Sequence, residues 1–238
     1  MKKIKVSLKF RGKVILDTTK SNQITEDFKE YVYEALQGLR PLISSYQIYE
    51  GITGSTQQAK ISQTQQGINE FSVTFTANFG NLNTPIVELY LQAVLTDGTA
   101  VTIARVTQNF NNTVQSLNVT WVLVTEFNTY TAPGYPVDLT ALYQLIFNFF
   151  VNPSSLTVSP PQLNVSYTPT DILEYQGTDE LSFFVAFDNY AGGGLCPQVQ
   201  YDVTYYLLGS QVLSLTGYFT CTPNPSVLNY IYFDITIP

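Results

Sequence analysis

The segment FSVTFTANF, residues 71–79, alternates apolar and polar side chains. This period of two is that of a β-strand, in which successive side chains point to opposite faces of the sheet. One face is expected to be buried and the other hydrated, which is typical of an antiparallel sheet. The segment SLNVTWVLV, residues 116–124, alternates in the same way. Several such strands, separated by turn residues such as Asp97-Gly98, predict a β-sandwich.

A second feature of the chain is internal duplication. The segment NEFSVTFTANF (69–79) matches DELSFFVAFDN (179–189) at an offset of 110 residues. Three further β-rich segments follow in the same order in both halves. They are 85–95 with 197–208, 99–110 with 210–221, and 116–124 with 227–235. Because a period this long does not suit a solenoid, it predicts two homologous domains.

Each half begins with a segment of helical periodicity, at 24–39 and at 135–150. Their apolar stripes have the spacing of one helix face. The stripes are Phe28, Tyr31, Val32, Ala35, Leu36 and Leu39 in the first, and Leu139, Leu142, Tyr143, Ile146, Phe147 and Phe150 in the second. Thr25 and Pro136 occupy the matching start positions, where a capping residue or a proline favours a helix.

We therefore predict a mainly β protein with two tandem antiparallel β-sandwich (jelly-roll-like) domains, each preceded by one amphipathic helix. The domains are expected at 1–127 and 137–238, joined by a linker at 128–136 that is rich in turn formers. The first domain has an additional basic N-terminal hairpin, with strands 3–10 and 13–18 around Arg11-Gly12.

Composition argues against catalysis. The chain has no histidine, which excludes imidazole base catalysis, a Ser-His-Asp device and a His-ligated metal. No two acidic residues are spaced i, i+2, the spacing that would place both on one face of a strand. The nearest candidates for calcium are Asp171 with Glu174 and Asp179 with Asp188, but no loop is rich in aspartate. We expect a protein that is not an enzyme and has no cofactor and no metal.

Hydrophobic residues make up 45% of the chain, which excludes disorder. No run approaches the ~18 apolar residues of a membrane-spanning helix. The N-terminus MKKIKVSLKF alternates apolar and polar residues, unlike a secretory signal. We expect synthesis in the cytosol, with any exterior location reached by assembly.

Charge is distributed unevenly along the chain. Residues 1–105 hold all 11 basic residues and 9 acidic ones, a net charge of +2. Residues 106–238 hold 9 acidic residues and no basic one, a net charge of −9. Such asymmetry indicates that the two parts face different surroundings.

The basic N-terminus has two interpretations. It docks on an acidic protein, an anionic lipid or packaged nucleic acid, or it is an edge strand whose lysines prevent pairing with other sheets. Alternation of the lysines with Ile4, Val6, Leu8 and Phe10 favours the edge strand. The candidate docking residues are Lys2, Lys3, Lys5, Lys9, Arg11 and Lys13. Since the aromatic residues are mostly in the half without basic residues, we expect no specific nucleic acid as a partner.

Two further kinds of site are candidates. Cys196 and Cys221 lie at the outer ends of two consecutive predicted strands, which an antiparallel hairpin would bring together. The alternatives are a disulfide, two buried free thiols, or a metal or redox role other than structural zinc. Asn111, Asn118 and Asn164 begin N-x-Ser/Thr sequons, which are candidate glycosylation sites.

The segments FSVTFTANFGNLNTPIVELYLQAVL (71–95) and LNVTWVLVTEF (117–127) are rich in Tyr, Asn, Thr and Gln and poor in basic residues. In this texture the chain resembles virion structural proteins of hyperthermophilic archaeal viruses, in particular turret, penton and spike proteins built from tandem β-sandwich or jelly-roll domains. The resemblance implies a non-enzymatic virion protein that forms a symmetric oligomer on a capsid, with other copies of itself and other virion proteins as partners. The alternative function is a surface adhesin or carbohydrate-binding module that recognises a host surface glycan.

Overall fold

The computed structural model describes residues 1–132, 136–188, 198–220 and 228–238. Within these ranges the strands are β1 (Lys2–Ile15), β2 (Thr19–Asn22), β3 (Ile43–Glu50), β4 (Thr56–Gln66), β5 (Glu70–Phe79), β6 (Ile86–Leu95), β7 (Ala100–Asn109), β8 (Leu117–Thr131), β9 (Gln162–Thr168), β10 (Leu173–Asp179), β11 (Ser182–Phe187), β12 (Val199–Leu207), β13 (Ser210–Phe219) and β14 (Asn229–Thr236). The helices are α1 (Glu26–Leu36), α2 (Thr140–Val151) and a 3₁₀ turn at Pro153–Ser155.

Strands account for 59% of the chain and helices for 12%, which confirms the prediction of a mainly β protein. The larger sheet has the order β10-β11-β14-β1-β8-β5-β4-β3-β6-β7, with β2 paired to β1. It curls at β4, whose first residues pair with β3 and whose last residues pair with β5. The smaller sheet has the order β13-β12-β9.

Most strand pairings of the first half recur in the second half, except that β3 pairs with β4 whereas their counterparts β9 and β10 lie in different sheets. In the first half, β3 pairs with β6, β4 with β5, and β5 with β8. In the second half, β9 pairs with β12, β10 with β11, and β11 with β14. Val73 pairs with Leu123 in the first half, and Phe183 pairs with Phe233 in the second half. Each residue of the second pair lies 110 residues after its counterpart in the first pair. The sequence offset of the two halves is therefore also an offset of sheet register.

The last hairpin of each half contains a one-residue irregularity, three residue pairs from the turn in β6-β7 and two pairs from it in β12-β13. In β6-β7 the register shifts between Leu91 and Gln92, and Ile103 is the additional residue. In β12-β13 it shifts between Tyr205 and Tyr206, and Val212 is the additional residue. The additional residue is fully buried in both hairpins. Both hairpins therefore contain a bulge with a buried additional residue, at positions that differ by one residue pair.

Both predicted helices form, but the second is displaced from its predicted position. In α1, the Thr25 side chain accepts a hydrogen bond from the Phe28 N–H, as the capping argument required. The buried residues of α1 are Phe28, Tyr31, Val32, Ala35 and Leu36. Those of α2 lie 114 residues further on, at Leu142, Leu145, Ile146, Phe149 and Phe150. The predicted stripe in α2 was therefore wrong at Tyr143 and Phe147, which are only partly buried, and it missed Leu145 and Phe149. Phenylalanines at 147, 149 and 150 obscure the helical period.

The apolar core crosses the predicted domain boundary. The Phe149 ring of α2 lies 6.0 Å from the Tyr31 ring of α1, and the Phe150 ring lies 5.8 Å from the Phe10 ring of β1. In the second half, the Tyr205 ring of the smaller sheet lies 5.2 Å from the Phe183 ring of the larger sheet. These side chains belong to one contiguous cluster of buried residues. Division into domains 1–127 and 137–238 stays a prediction.

The predicted N-terminal hairpin around Arg11-Gly12 is wrong. Residues 2–15 form one uninterrupted strand, and the chain turns after Ile15 into β2. Gly12 marks a close approach and not a turn: a Cβ there would lie 3.2 Å from the Asn22 Cβ and 3.2 Å from the Ile24 Cδ1. A glycine within a strand has this role where another backbone comes near.

Candidate docking surface

The basic strand β1 lies inside the large sheet. Residues 4–15 pair with β8 in antiparallel register on one side. On the other side, residues 2–7 pair with β14 in parallel register and residues 12–15 pair with β2. The interpretation of β1 as an edge strand with protective lysines is therefore wrong for residues 4–7 and 12–15, which have strand partners on both sides. Residues 8–11, which include Lys9, pair with β8 only.

The basic side chains of β1 lie along its outer face. Ile4, Val6, Leu8, Phe10 and Val14 are buried on the opposite face. We define the lysine row as the outward cations of this strand, which are Lys3, Lys5, Lys9, Arg11 and Lys13. Neighbours two residues apart on a strand are roughly 6.5 Å apart. The row therefore places positive charge along almost the whole length of β1.

Carboxylates on neighbouring strands compensate part of this charge. The Arg11 guanidinium contacts Glu126 on β8 and lies 3.9 Å from the Glu70 carboxylate on β5. Among the described residues, these are the ion pairs within 4.0 Å that the row makes. Lys9 and Lys13 are exposed and are the cations best placed to meet an external partner.

Lys2 differs from the other candidate docking residues. Its ammonium lies 4.7 Å from the centre of the Tyr201 ring and 5.3 Å from that of Phe219, in the smaller sheet. It also bonds the Tyr201 hydroxyl. Burial lowers the pKa of the Lys2 ammonium from its ordinary value. Lys2 therefore fastens β1 to the smaller sheet and is not part of the row.

A cleft of about 510 Å³ lies between α1 and the end of β14. Its carboxylates come from both halves of the chain. They are Glu26, Glu30, Glu180 and Asp234. The Tyr33 hydroxyl donates to Glu180, and burial, together with this carboxylate, raises the pKa of the phenol. The bond joins the first helix to the β10-β11 turn, which is a structural role. No group of three or more acidic or thiol side chains among the described residues is placed to hold a metal ion.

The remaining predicted sites are dispersed. Asn111 lies exposed in the β7–β8 connection, Asn118 on β8 and Asn164 on β9. The Asn118 side chain accepts a hydrogen bond of 2.6 Å from the Asn78 amide. Cys196 and Cys221 lie outside the described residues, so the choice between disulfide and free thiols stays open.

The sequence did not predict that the lysine row would lie beside aromatic side chains of another strand. Lys3 is opposite Tyr232 in the β1-β14 register, although 229 residues separate them. Alternation showed that both residues are on strands but carried no signal for which strands pair.

In the described part of the chain, no helix combines the length and the apolar character that crossing a membrane requires. Comparison with known proteins found no family model, no curated protein and no solved structure that matches this chain.

Proposed function

We propose that this chain is a non-enzymatic structural protein whose copies assemble through the lysine row into a symmetric oligomer. The observation that supports this most directly is that the row lies on the outer face of an interior strand. Lysines at an edge have a use within the monomer, because they prevent pairing with other sheets. Lysines on the outer face of a strand that is paired on both sides over residues 4–7 and 12–15 have no such use there, and an external partner is the function we propose for them.

The occupant we propose for the row is the half without basic residues of a neighbouring copy. That half has a net charge of −9, so its surface is complementary to the row in sign. The contacting surfaces differ, so the contact is head-to-tail and closes into a ring when the rotation between copies allows it. A standard interface of roughly 1,600 Å² would be enough for each contact.

The proposed fold for this function is two tandem β-sandwiches, each preceded by a helix. Its support is the repeated strand pairing, the presence of a bulge in the last hairpin of each half and the 110-residue offset of the strand register. A duplicated module gives one chain two similar units, of which only the first is preceded by basic residues on an added strand.

The proposed setting is the virion. The resemblance to turret, penton and spike proteins of hyperthermophilic archaeal viruses supports it, as does the sign asymmetry of the chain. In this setting the protein is made in the host cytoplasm, and its lysine-bearing part is directed toward the shell. Detection of the chain by mass spectrometry in purified particles tests the setting, and its absence from them would reject it.

The experiment that tests assembly is sedimentation velocity of the intact chain across a salt series. We expect an oligomer at about 50 mM NaCl whose mass falls toward that of a monomer at about 500 mM, because salt screens exposed charges. A chain that is monomeric over the whole series would reject assembly through the row.

A further inference from the structure

The outer face of the sheet in the second half carries an aromatic row, defined as Tyr175, Phe184, Tyr230 and Tyr232. The Tyr175 and Phe184 ring centres are 5.8 Å apart, and those of Phe184 and Tyr230 are 5.4 Å apart. Tyr175 is 56% exposed. The core of this half is formed by the alternate residues of β11 and β14. The aromatic row lies on the other face and is not part of that core.

Small residues beside the aromatic row leave room for its rings to lie flat against the sheet. Gly177 is opposite Phe184, and Ala186 is opposite Tyr175. A Cβ on Gly177 would lie 2.6 Å from the Tyr175 hydroxyl oxygen and 3.1 Å from its ring carbon Cζ. The Tyr175 ring therefore lies across Gly177 and presents a face to solvent, the arrangement needed to stack a flat ligand.

The two ends of the aromatic row differ in charge. At one end, the Lys3 ammonium lies 5.7 Å from the Tyr232 ring centre. The other end is on β10, which carries the exposed carboxylates Glu174 and Asp179. A polyanion lying along the whole row would be repelled at the β10 end. The aromatic row therefore suits a ligand that is neutral over most of its length and carries one anionic group.

Asp234 adds a hydrogen-bond acceptor beside the rings. It lies opposite Lys5 in the β1-β14 register, and burial together with the Asp234 carboxylate raises the pKa of the Tyr232 phenol. Aromatic faces, one carboxylate and one ammonium group together are suited to binding a sugar. A pyranose ring offers an apolar C–H face for stacking and hydroxyls at its rim for the carboxylate.

We propose that the aromatic row binds a saccharide whose pyranose ring carries a carboxylate, with the rings stacked on Tyr175 and Phe184 and the carboxylate at Lys3. This site shares Lys3 with the lysine row, but its tests change Lys3 and Tyr175 whereas those of assembly change Lys9 and Lys13, so failure of one proposal is distinguishable from failure of the other. A single-stranded nucleic acid is the rival ligand, because it also stacks on aromatic rings beside lysines. The carboxylates of β10 favour the saccharide.

Saturation-transfer NMR with the intact chain tests this proposal. The probes are 3′-sialyllactose and glucuronyl xylobiose, each with a single carboxylate, which distinguish sialic acid from uronic acid as the carboxylate source, with lactose as the neutral control. We expect at least one acidic probe to bind more tightly than lactose by about threefold, the effect of one exposed ion pair. Lys3→Gln removes that preference.

Tyr175→Ala is expected to weaken binding of the acidic probe by about five- to tenfold, the contribution of one stacked ring. Tyr218→Ala is the matched control, because Tyr218 is 58% exposed on the smaller sheet. Circular dichroism of both variants verifies that they are folded. Absence of binding by both acidic probes, or equal binding by the two tyrosine variants, would overturn the proposal. Tighter binding of an oligothymidylate than of either saccharide would also overturn it.

Discussion

The Lys2 ammonium lies 4.7 Å from the centre of the Tyr201 ring, although 199 residues separate them. Lys2 belongs to β1 of the larger sheet, and Tyr201 belongs to β12 of the smaller sheet. A cation over an aromatic ring is stabilising, more so when partly buried. The first strand of the chain therefore holds together the two sheets of the C-terminal half, which makes it part of both halves.

Lys2→Ala is expected to lower the free energy of unfolding by about 1–2 kcal/mol, because it removes the contacts with the Tyr201 and Phe219 rings. Lys9→Ala, from the exposed row on the same strand, is the control and is expected to change it by less than about 0.5 kcal/mol. Urea unfolding followed by circular dichroism measures both. Equal effects of the two variants would contradict the fastening role of Lys2.

Deletion of residues 1–7 is expected to abolish the cooperative unfolding transition of the second half. The deletion removes the parallel partner of β14 and the fully buried Ile4 and Val6, each worth roughly 1.5–3 kcal/mol of burial. Lys3→Gln with Lys5→Gln keeps the strand and is the control. A deleted chain that melts like the control would show that β1 is dispensable to the second half.

Gly12→Ala is expected to destabilise the protein by about 1–2 kcal/mol, because its new Cβ would crowd Asn22 and Ile24 at 3.2 Å. Gly80→Ala is the control, since a Cβ there meets nothing within 4 Å. Thermal unfolding of both variants measures the difference. A tolerated alanine at position 12 would argue against the close approach of β2.

Glu50 is a buried carboxylate that the pattern of the sequence did not reveal. Burial disfavours its charge, but hydrogen bonds from the Glu88, Thr53 and Ile52 backbone N–H groups and the Thr53 hydroxyl outweigh burial and lower the pKa of Glu50. A lowered pKa in the folded state stabilises the protein above the pKa of the unfolded chain. That stability is lost as pH falls through the folded-state value.

Glu50→Gln is therefore expected to cost about 2–3 kcal/mol at neutral pH, because an amide cannot accept all four hydrogen bonds. The difference from the wild type is expected to shrink below about pH 4, because the Glu50 carboxylate of the unfolded chain, with an ordinary pKa of about 4.3, is then protonated and that of the folded chain follows at lower pH. The exposed Glu174→Gln is the control. Urea unfolding across pH measures this, and a difference that does not vary with pH would contradict it.

Local features of the fold were predictable and long-range ones were not. Period-two alternation identified β5 and β8, and Thr25 identified the start of α1, because these signals involve neighbours in sequence. The pairing of β1 with β14 joins the two ends of the chain, and nothing local in either segment specifies it. Gly12 was misjudged for the same reason, since a glycine at a turn and a glycine beside a distant backbone look alike in sequence.

The lysine row was identified from the sequence, but its interpretation depended on topology. Alternation placed Lys9 and Lys13 on the hydrated face of a strand. Whether that strand is an edge or an interior strand decides between protection and docking, and only the pairing with β8, β14 and β2 gives the answer.

The most direct test of the docking role is sedimentation velocity of the Lys9→Glu, Lys13→Glu double variant at low salt. Its control is Lys60→Glu with Arg105→Glu, which makes the same change in net charge at exposed positions outside the row. We expect the double variant in the row to sediment as a monomer while the control and the wild type remain oligomeric. Identical sedimentation of the two double variants would contradict docking through the lysine row.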